Sequence, residues 1–192
     1  MSLKPLRLAA LLSALLVAAC STTFPNNSSP TSEAAARAQL EQEARLALKN
    51  LHATSIGAKE LSAKASGILV FPSIVKGGFL LGGEGGKGVL FSADGRVLGY
   101  YSVGSVSWGL QAGAQNFSET MILMTPNAIN DLDAAGGWAV GVGPSVVVAD
   151  SGMAKDITTT TAQSDVYAFI YGQSGLMAGL GVQGQKITRL SN

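Results

Sequence analysis

The hydrophobic and polar positions divide the chain into a helical part and a strand-rich part. Residues 33–51 place apolar side chains at helical spacing on one face and charged side chains on another, which predicts an amphipathic helix. Thr31 or Ser32 can cap its start. A second, shorter helix is predicted over residues 58–65, and Gly67 is expected to end it.

Beyond residue 66, short apolar runs alternate with glycines and turn residues, which is typical of strands. Strands are predicted at residues 68–71, 79–81, 89–91, 97–101, 107–115, 120–125, 138–149, 166–171 and 176–183. Pro72 is expected to end the first strand, and Asp94 with Gly95 to form a hairpin turn. Pro126 is expected to begin a brief helix through Leu132. Helices followed by strands predict an α+β fold.

Glycine makes up 24 of the 192 residues, well above the typical ~7%. Because glycine weakens a strand, these residues are expected to mark bends, bulges or close backbone approach in a strongly coiled, mainly antiparallel sheet or partial barrel. Gly83 and Gly85 are expected to need positive φ or close packing, so that valine there would destabilise the domain. A faint repeat between residues 109–115 and 175–181 suggests two similar β units. Alternatively, the missing side chains leave a groove for an acyl chain or a partner strand.

The amino terminus carries a targeting signal. Lys4 and Arg7 precede an apolar stretch, residues 8–19, that is too short to span a bilayer comfortably and is typical of a secretory signal peptide. The chain's single cysteine, Cys20, follows directly and resembles the acylated cysteine of a bacterial lipobox. The resemblance implies cleavage after residue 19 and a lipid anchor on Cys20. Ser21, where an aspartate would signal inner-membrane retention, favours the outer membrane. The alternative is an ordinary cleaved signal with a coincidental cysteine.

The remaining chain is predicted to be a tether and one domain. Residues 20–32 are rich in Ser, Thr, Asn and Pro and are expected to be disordered. Residues 33–192 form the domain, with a helical prefix at 33–65 and a β-rich body at 66–192. A formal net charge of +1 gives no global field to attract nucleic acid, and a single cysteine excludes an intramolecular disulfide.

No motif selects a cofactor, a metal or a catalytic group. Gly83, Gly85 and Gly88 match G-x-G-x-x-G formally, but a strand and a hairpin follow where a dinucleotide site needs a helix. Gly88 also stands where a phosphate loop needs Ser or Thr after Lys87, so no nucleotide is expected. His52 is the only histidine and is expected to be a solvated helix-end residue. The aspartates lack calcium-loop spacing, and no enzyme activity is expected.

Several motifs in order resemble the SYLF domain family. Residues 68–90 (ILVFPSIVKGGFLLGGEGGKGVL) look like its opening signature and residues 108–113 (WGLQAG) like its central motif. Residues 141–144 (GVGP) are similar to its late Gly-Pro turn, and Tyr171 with residues 175–179 (GLMAG) to its closing strands. The likeness runs from about Ile56 to Asn192.

The resemblance implies phospholipid binding. Eukaryotic SYLF domains bind phosphoinositides and, in yeast, actin, whereas bacterial members are envelope lipoproteins usually described as lipid-binding. Actin is not expected as a partner in a bacterial envelope. The family's amphipathic, basic lipid-contacting region corresponds here to residues 33–64.

Basic residues are unevenly placed in this nearly neutral chain. Between residues 49 and 87 only two acidic residues accompany five lysines, which are the predicted lipid-binding residues: Lys49, Lys59, Lys64, Lys76 and Lys87. Near an anionic membrane each basic residue contributes about 1 kcal/mol. The alternative is a solvated face without a ligand.

These observations predict an outer-membrane-anchored lipoprotein, with its domain in the periplasm or at the cell surface, that binds phospholipid, with anionic headgroups favoured, or the membrane surface without catalysis. The alternative is an envelope protein–protein interaction module that uses a glycine-rich sheet edge or groove.

Overall fold

The computed structural model describes residues 30–134, 136–149, 164–175 and 184–191. The chain divides into two units between Ala34 and Ala35; the described part of the first is the opening of one helix, and the account below concerns the second. The helices are α1 (Pro30–Thr54), α2 (Ile56–Ser62) and α3 (Pro126–Leu132). The strands are β1 (Gly67–Phe91), β2 (Val97–Leu123), β3 (Trp138–Ala139), β4 (Val146–Ala149), β5 (Val166–Gly175) and β6 (Lys186–Arg189). The α+β prediction is confirmed: the sheet is a mixed, mostly antiparallel, strongly curled half-barrel.

The sheet is organised around β2. Along one edge β2 pairs antiparallel with β1, from Gly67 opposite Leu123 to Phe91 opposite Val97. Along the other edge its second half pairs with β5 and its first half with β6. Strand β4 joins β5 in parallel and β3 joins β6, which gives the order β3-β6-β2-β5-β4. The β1–β2 ribbon therefore has two arms with different neighbours.

Each face of the sheet carries its own core, as the alternation of side chains requires. The inner face is the side of β1 that carries Phe71, Ile74 and Leu90, and α3 packs into its core. The outer face carries Val70, Val89 and Phe91 on β1, and α1 and α2 cover it. The helices contribute buried alanines and leucines to this second core, namely Ala44, Ala47, Leu51, Ala58 and Leu61.

The two halves of β1 approach each other closely over the inner face, and glycines lie at the points of contact. A Cβ on Gly88 would lie 2.5 Å from Cδ1 of Phe71 and 2.7 Å from the carbonyl oxygen of Val70. A Cβ on Gly86 would lie 2.7 Å from the carbonyl oxygen of Ser73. Real Cβ atoms do not approach this closely, so only glycine permits the contact. The expected close backbone approach is confirmed at these two positions.

Gly83 and Gly85 do not share this constraint, and the expectation for them is wrong. A Cβ would meet the carbonyl oxygen of Ser105 at 3.5 Å from Gly83, and that of Val103 at 3.8 Å from Gly85, which are ordinary contacts. Neither glycine has positive φ. Both lie in extended backbone on the outer side, where the ribbon leaves room.

The strands are longer than predicted. Neither Pro72 nor the glycine cluster 82–88 ends β1, and the three strands predicted between residues 97 and 125 form the single strand β2. Pro72 lies in a register irregularity between Phe71 and Ile74. Because the regular pairing is interrupted there, the sheet loses no hydrogen bond to the missing N–H of the proline. The glycines pair through their backbone, so a continuous partner strand carries the ladder across them.

Other boundaries also differ. Gly67 begins β1, because α2 already ends at Ser62 with Ala63 as its C-cap. Two glycines with positive φ, Gly141 and Gly143, split the strand predicted at residues 138–149 into β3 and β4. Strand β6 was not predicted, and the strand predicted at residues 176–183 lies outside the described residues, with most of the second copy of the suggested repeat. The hairpin at Asp94–Gly95 and helix α3 are confirmed.

Candidate anion-binding groove

A groove of about 310 Å³ lies on the outer face, where α1, α2 and the β1–β2 hairpin meet. Its basic and polar side chains come from all three elements, and its walls are apolar. It is lined by Arg45, Leu48, His52, Lys59, Ser62, Ala63, Ile68, Phe91, Ser92, Ala93 and Gly95. The spacing of residues 45, 48 and 52 places them on one face of α1, since residues three, four and seven apart share a face.

Arg45 is held in place from the hairpin side. Its Nη2 donates a hydrogen bond of 3.0 Å to the carbonyl oxygen of Gly95, and its guanidinium carbon lies 4.7 Å above the ring centroid of Phe91. Gly95 has φ of 81°, which the Asp-Gly turn needs and which favours glycine. These contacts orient the guanidinium while using one of its five N–H donors. Arg45 is therefore a pre-oriented cation at the groove.

His52 joins α1 to α2. Its Nε2 lies 2.9 Å from Oγ of Ser62, and the ring is half-buried. Burial, with a further contribution from the charge of Lys59, lowers the pKa of His52 below its usual 6.5. The ring is thus mainly neutral at pH 7. His52 lies in the last turn of α1, as expected, but it is not freely solvated, because it contacts Ser62 of α2.

The groove can attract an anion through Arg45 and Lys59, and His52 adds a third positive charge when an anion beside it favours the protonated ring. The apolar walls suit the carbon atoms next to a headgroup phosphate. Across the described ranges, no group of three or more His, Cys, Asp and Glu side chains could hold a metal ion. None of the helices in the described part of the chain is long and apolar enough to cross a membrane.

The structure divides the five predicted lysines. Lys59 lines the groove, while Lys49 and Lys64 are exposed on α1 and just beyond α2. Lys87 is exposed and shares the outer face of β1 with Val89. Lys76 lies on the inner face, half-buried and opposite Gln115 of β2, so the sheet separates it from the other four. Cys20 lies outside the described residues.

Sequence reasoning missed Arg45 as a site residue and gave His52 no role. Their spacing on α1 was a visible signal, because residues seven apart lie on the same helix face. The contact between Arg45 and a hairpin carbonyl 50 residues later depends on tertiary packing, which the pattern of the sequence does not contain.

Comparison with known proteins agrees with the SYLF resemblance. No curated protein matches the chain. The family model Ysc84, described as Las17-binding protein actin regulator, matches residues 104–192, which include most of β2 and every element after it. This is the SYLF domain family, a family of binding domains linked to actin and lipid binding. The match over residues 104–192 makes this part of the chain similar to the SYLF family.

Proposed function

We propose that this protein is an outer-membrane-anchored lipoprotein whose SYLF domain binds phospholipid headgroups at the membrane surface and performs no chemistry. The observation that carries the proposal is the groove on the outer face, where Arg45, His52 and Lys59 converge above apolar walls. The similarity of residues 104–192 to the SYLF family supports it, because that family is linked to lipid binding.

The charges of the outer face favour anionic headgroups. Lys49, Lys64 and Lys87 extend the positive potential of the groove on the same side of the sheet. Each basic residue near an anionic surface contributes about 1 kcal/mol within a Debye length, so a few of them decide whether the domain docks. Arg45 loses little conformational entropy on binding, because Phe91 and the Gly95 carbonyl already hold it.

With the domain anchored to the membrane, a low affinity of the groove for headgroups is sufficient for binding. Acyl chains on Cys20 would keep the domain within a tether's length of the bilayer, which raises the effective concentration of headgroups. The groove then needs only to orient the domain on the membrane surface.

Vesicle flotation tests the lipid-binding proposal. Soluble protein starting after Cys20 is mixed with phosphatidylcholine vesicles with and without phosphatidylglycerol, at increasing salt. We expect flotation with the anionic vesicles that fades as salt rises past about 0.15 M, where the Debye length is ~8 Å. Charge reversal of Lys49, Lys59, Lys64 and Lys87 together should abolish it without changing the circular dichroism. A variant that floats like wild type would show that these lysines form a solvated face without a ligand.

The anchor has its own test. Mass spectrometry of the mature wild-type protein should find an N-terminal Cys20 with acyl chains, and Cys20→Ser should leave the precursor unlipidated, because no other residue supplies the thiolate. A mature protein that begins at another residue, or that carries no acyl mass, removes the argument for the outer membrane.

A second candidate function is a protein–protein interaction in the envelope. A larger groove of about 620 Å³ lies between α1 and the irregular stretches within β1, β2 and β5, and Leu46, which is 57% exposed, is among its lining residues. Among the described strands β1 pairs only with β2, so it also offers a sheet edge. Binding of an envelope protein that survives high salt and the absence of lipid, and that Leu46→Glu abolishes, would favour this function.

A further inference from the structure

The inner face holds a polar group that the groove does not use. Within the part of the chain that the structure describes, three buried side-chain oxygens have no hydrogen-bond partner: Oε1 of Gln115, Oε1 of Glu119 and Oε1 of Gln185. The side chains of Glu119 and Gln185 have no solvent exposure at all. An unpartnered buried polar atom loses its hydration without compensation, which costs about 1–3 kcal/mol. Such atoms indicate a missing partner.

Two of the three oxygens belong to one contact. Nε2 of Gln185 donates a hydrogen bond of 3.0 Å to Oε2 of Glu119, which leaves Oε1 of each side chain without a donor. Across the strands, Glu119 faces Phe71 of β1 and Ile170 of β5, which are apolar. The described neighbours in the sheet therefore supply no second donor.

The electrostatic environment of Glu119 and Gln185 favours a positively charged partner. Burial, with a smaller contribution from the negative charge of Glu84, raises the pKa of Glu119 to about 7 against the opposing effect of the Gln185 hydrogen bond. Among the described residues, no cation acts on Glu119. A carboxylate in this position is stabilised by a ligand that brings both N–H donors and a positive charge.

We propose that the inner face of the half-barrel contains a binding site for a primary ammonium group, which donates hydrogen bonds to Oε1 of Glu119 and Oε1 of Gln185. A primary ammonium carries three N–H donors and one positive charge. A quaternary ammonium carries the charge without the donors and does not fit. The ammonium can come from an ethanolamine phospholipid or from a free amine; the lipid source rests on the proposed function, and the free amine does not.

The proposal includes a balanced proton step. At pH 7 part of the Glu119 population is protonated, because its pKa is about 7. The incoming ammonium stabilises the carboxylate, so the proton of the protonated fraction leaves to the buffer. No other group changes its covalent state. Glu84 and Tyr171 are the other titratable groups electrostatically coupled to Glu119. Tyr171 stays neutral at pH 7, since burial raises its pKa to about 12.

Calorimetric titration with ethanolamine hydrochloride tests the site, with choline chloride at the same ionic strength as the matched control. We expect ethanolamine to bind the wild-type protein at pH 7 and to release up to about half a proton, read from the dependence of the heat on the buffer's ionisation enthalpy. Choline should not bind. Glu119→Gln should lose ethanolamine binding, and Gln185→Leu should weaken it, with folding of both variants checked by circular dichroism.

Equal heats for choline and ethanolamine, or binding that Glu119→Gln retains, would overturn the proposal. So would no binding of ethanolamine at all, in which case a buried water molecule is the partner of these oxygens.

Vesicles distinguish the two sources of the ammonium. Phosphatidylethanolamine should increase flotation over phosphatidylcholine at equal phosphatidylglycerol content, and Glu119→Gln should remove that increase while keeping the dependence on phosphatidylglycerol. Ethanolamine binding without any preference between the vesicles supports a free amine as the ligand. Loss of all vesicle binding would contradict the proposed function but leave the calorimetric result to decide the ammonium site.

Discussion

The two faces of the sheet differ in how far their charged side chains are exposed to solvent. On the outer face the positive charge of Arg45 is exposed, stacked on an aromatic ring and bonded to a carbonyl, so it keeps part of its hydration when no ligand is present. On the inner face Glu119 is fully buried with one oxygen unpartnered. The outer face can thus act by long-range attraction that salt screens, whereas the inner face can act only on a group that makes direct hydrogen bonds.

The largest expected effect on stability comes from substituting a glycine at which the two halves of β1 approach each other over the inner face. Gly88→Ala places a methyl group 2.5 Å from Cδ1 of Phe71 and 2.7 Å from the backbone oxygen of Val70, which cannot both move away. We expect the free energy of unfolding to fall by roughly 4 kcal/mol, measured by urea denaturation.

Gly85→Ala is the matched control, three residues away on the outer side with its nearest contact at 3.8 Å. It should be neutral or slightly stabilising, by about 0.5 kcal/mol, because alanine reduces the entropy of the unfolded chain. Equal destabilisation by both variants would contradict a closure that is specific to the inner face.

Burial of Glu119 should make stability fall as pH rises. Its folded-state pKa of about 7 lies above the reference value of 4.5, so the folded protein holds the proton more tightly. The stabilisation from protonation is fully present below pH 4.5 and is lost as pH rises through 7. From this pKa difference, Glu119→Gln should be more stable than wild type by about 3 kcal/mol at pH 8, and close to it at pH 5.

Urea unfolding at pH 5, 6.5 and 8 without amines measures this difference. A wild-type stability that follows the variant at every pH would mean that a partner already neutralises the carboxylate.

Neutralising the groove should weaken membrane binding more than neutralising the inner face. Arg45→Gln with Lys59→Gln removes two charges, so the affinity for phosphatidylglycerol vesicles should fall by about 2 kcal/mol, or roughly 30-fold. Lys76→Gln removes one charge on the inner face and should leave the affinity near wild type. Quantitative flotation at low salt compares the variants. A larger loss from Lys76→Gln would place the lipid surface on the inner face.

The sequence contained the class of the fold but not the geometry of either face. Helical periodicity predicted α1, Pro126 predicted α3 and Asp94–Gly95 predicted the hairpin, because these are local signals. Pro72 and the glycine cluster seemed to break strands that a long partner strand in fact carries through. Likewise Glu119 lies 66 residues from Gln185, and no local pattern marks a contact between strands that are so far apart in the chain.

The smallest expected effect is a pH dependence of the outer face that originates from His52. Burial and the charge of Lys59 hold the pKa of His52 below 6.5, and an anionic headgroup beside the ring would raise that pKa. Headgroup binding therefore takes up a proton, and affinity should rise as pH falls through the pKa of the bound state and level off below that of the free state. One added charge corresponds to about 1 kcal/mol, or roughly five-fold.

Phosphatidylglycerol vesicles suit this measurement between about pH 5.5 and 8, because their phosphodiester stays ionised throughout this range. Glu119 does titrate near pH 7, so the wild-type profile alone does not identify the group responsible. His52→Gln keeps a hydrogen-bonding side chain for Ser62 and removes the titration, and we expect it to bind equally at both ends of the range. If the variant keeps the wild-type profile while Glu119→Gln loses it, the pH dependence belongs to the inner face.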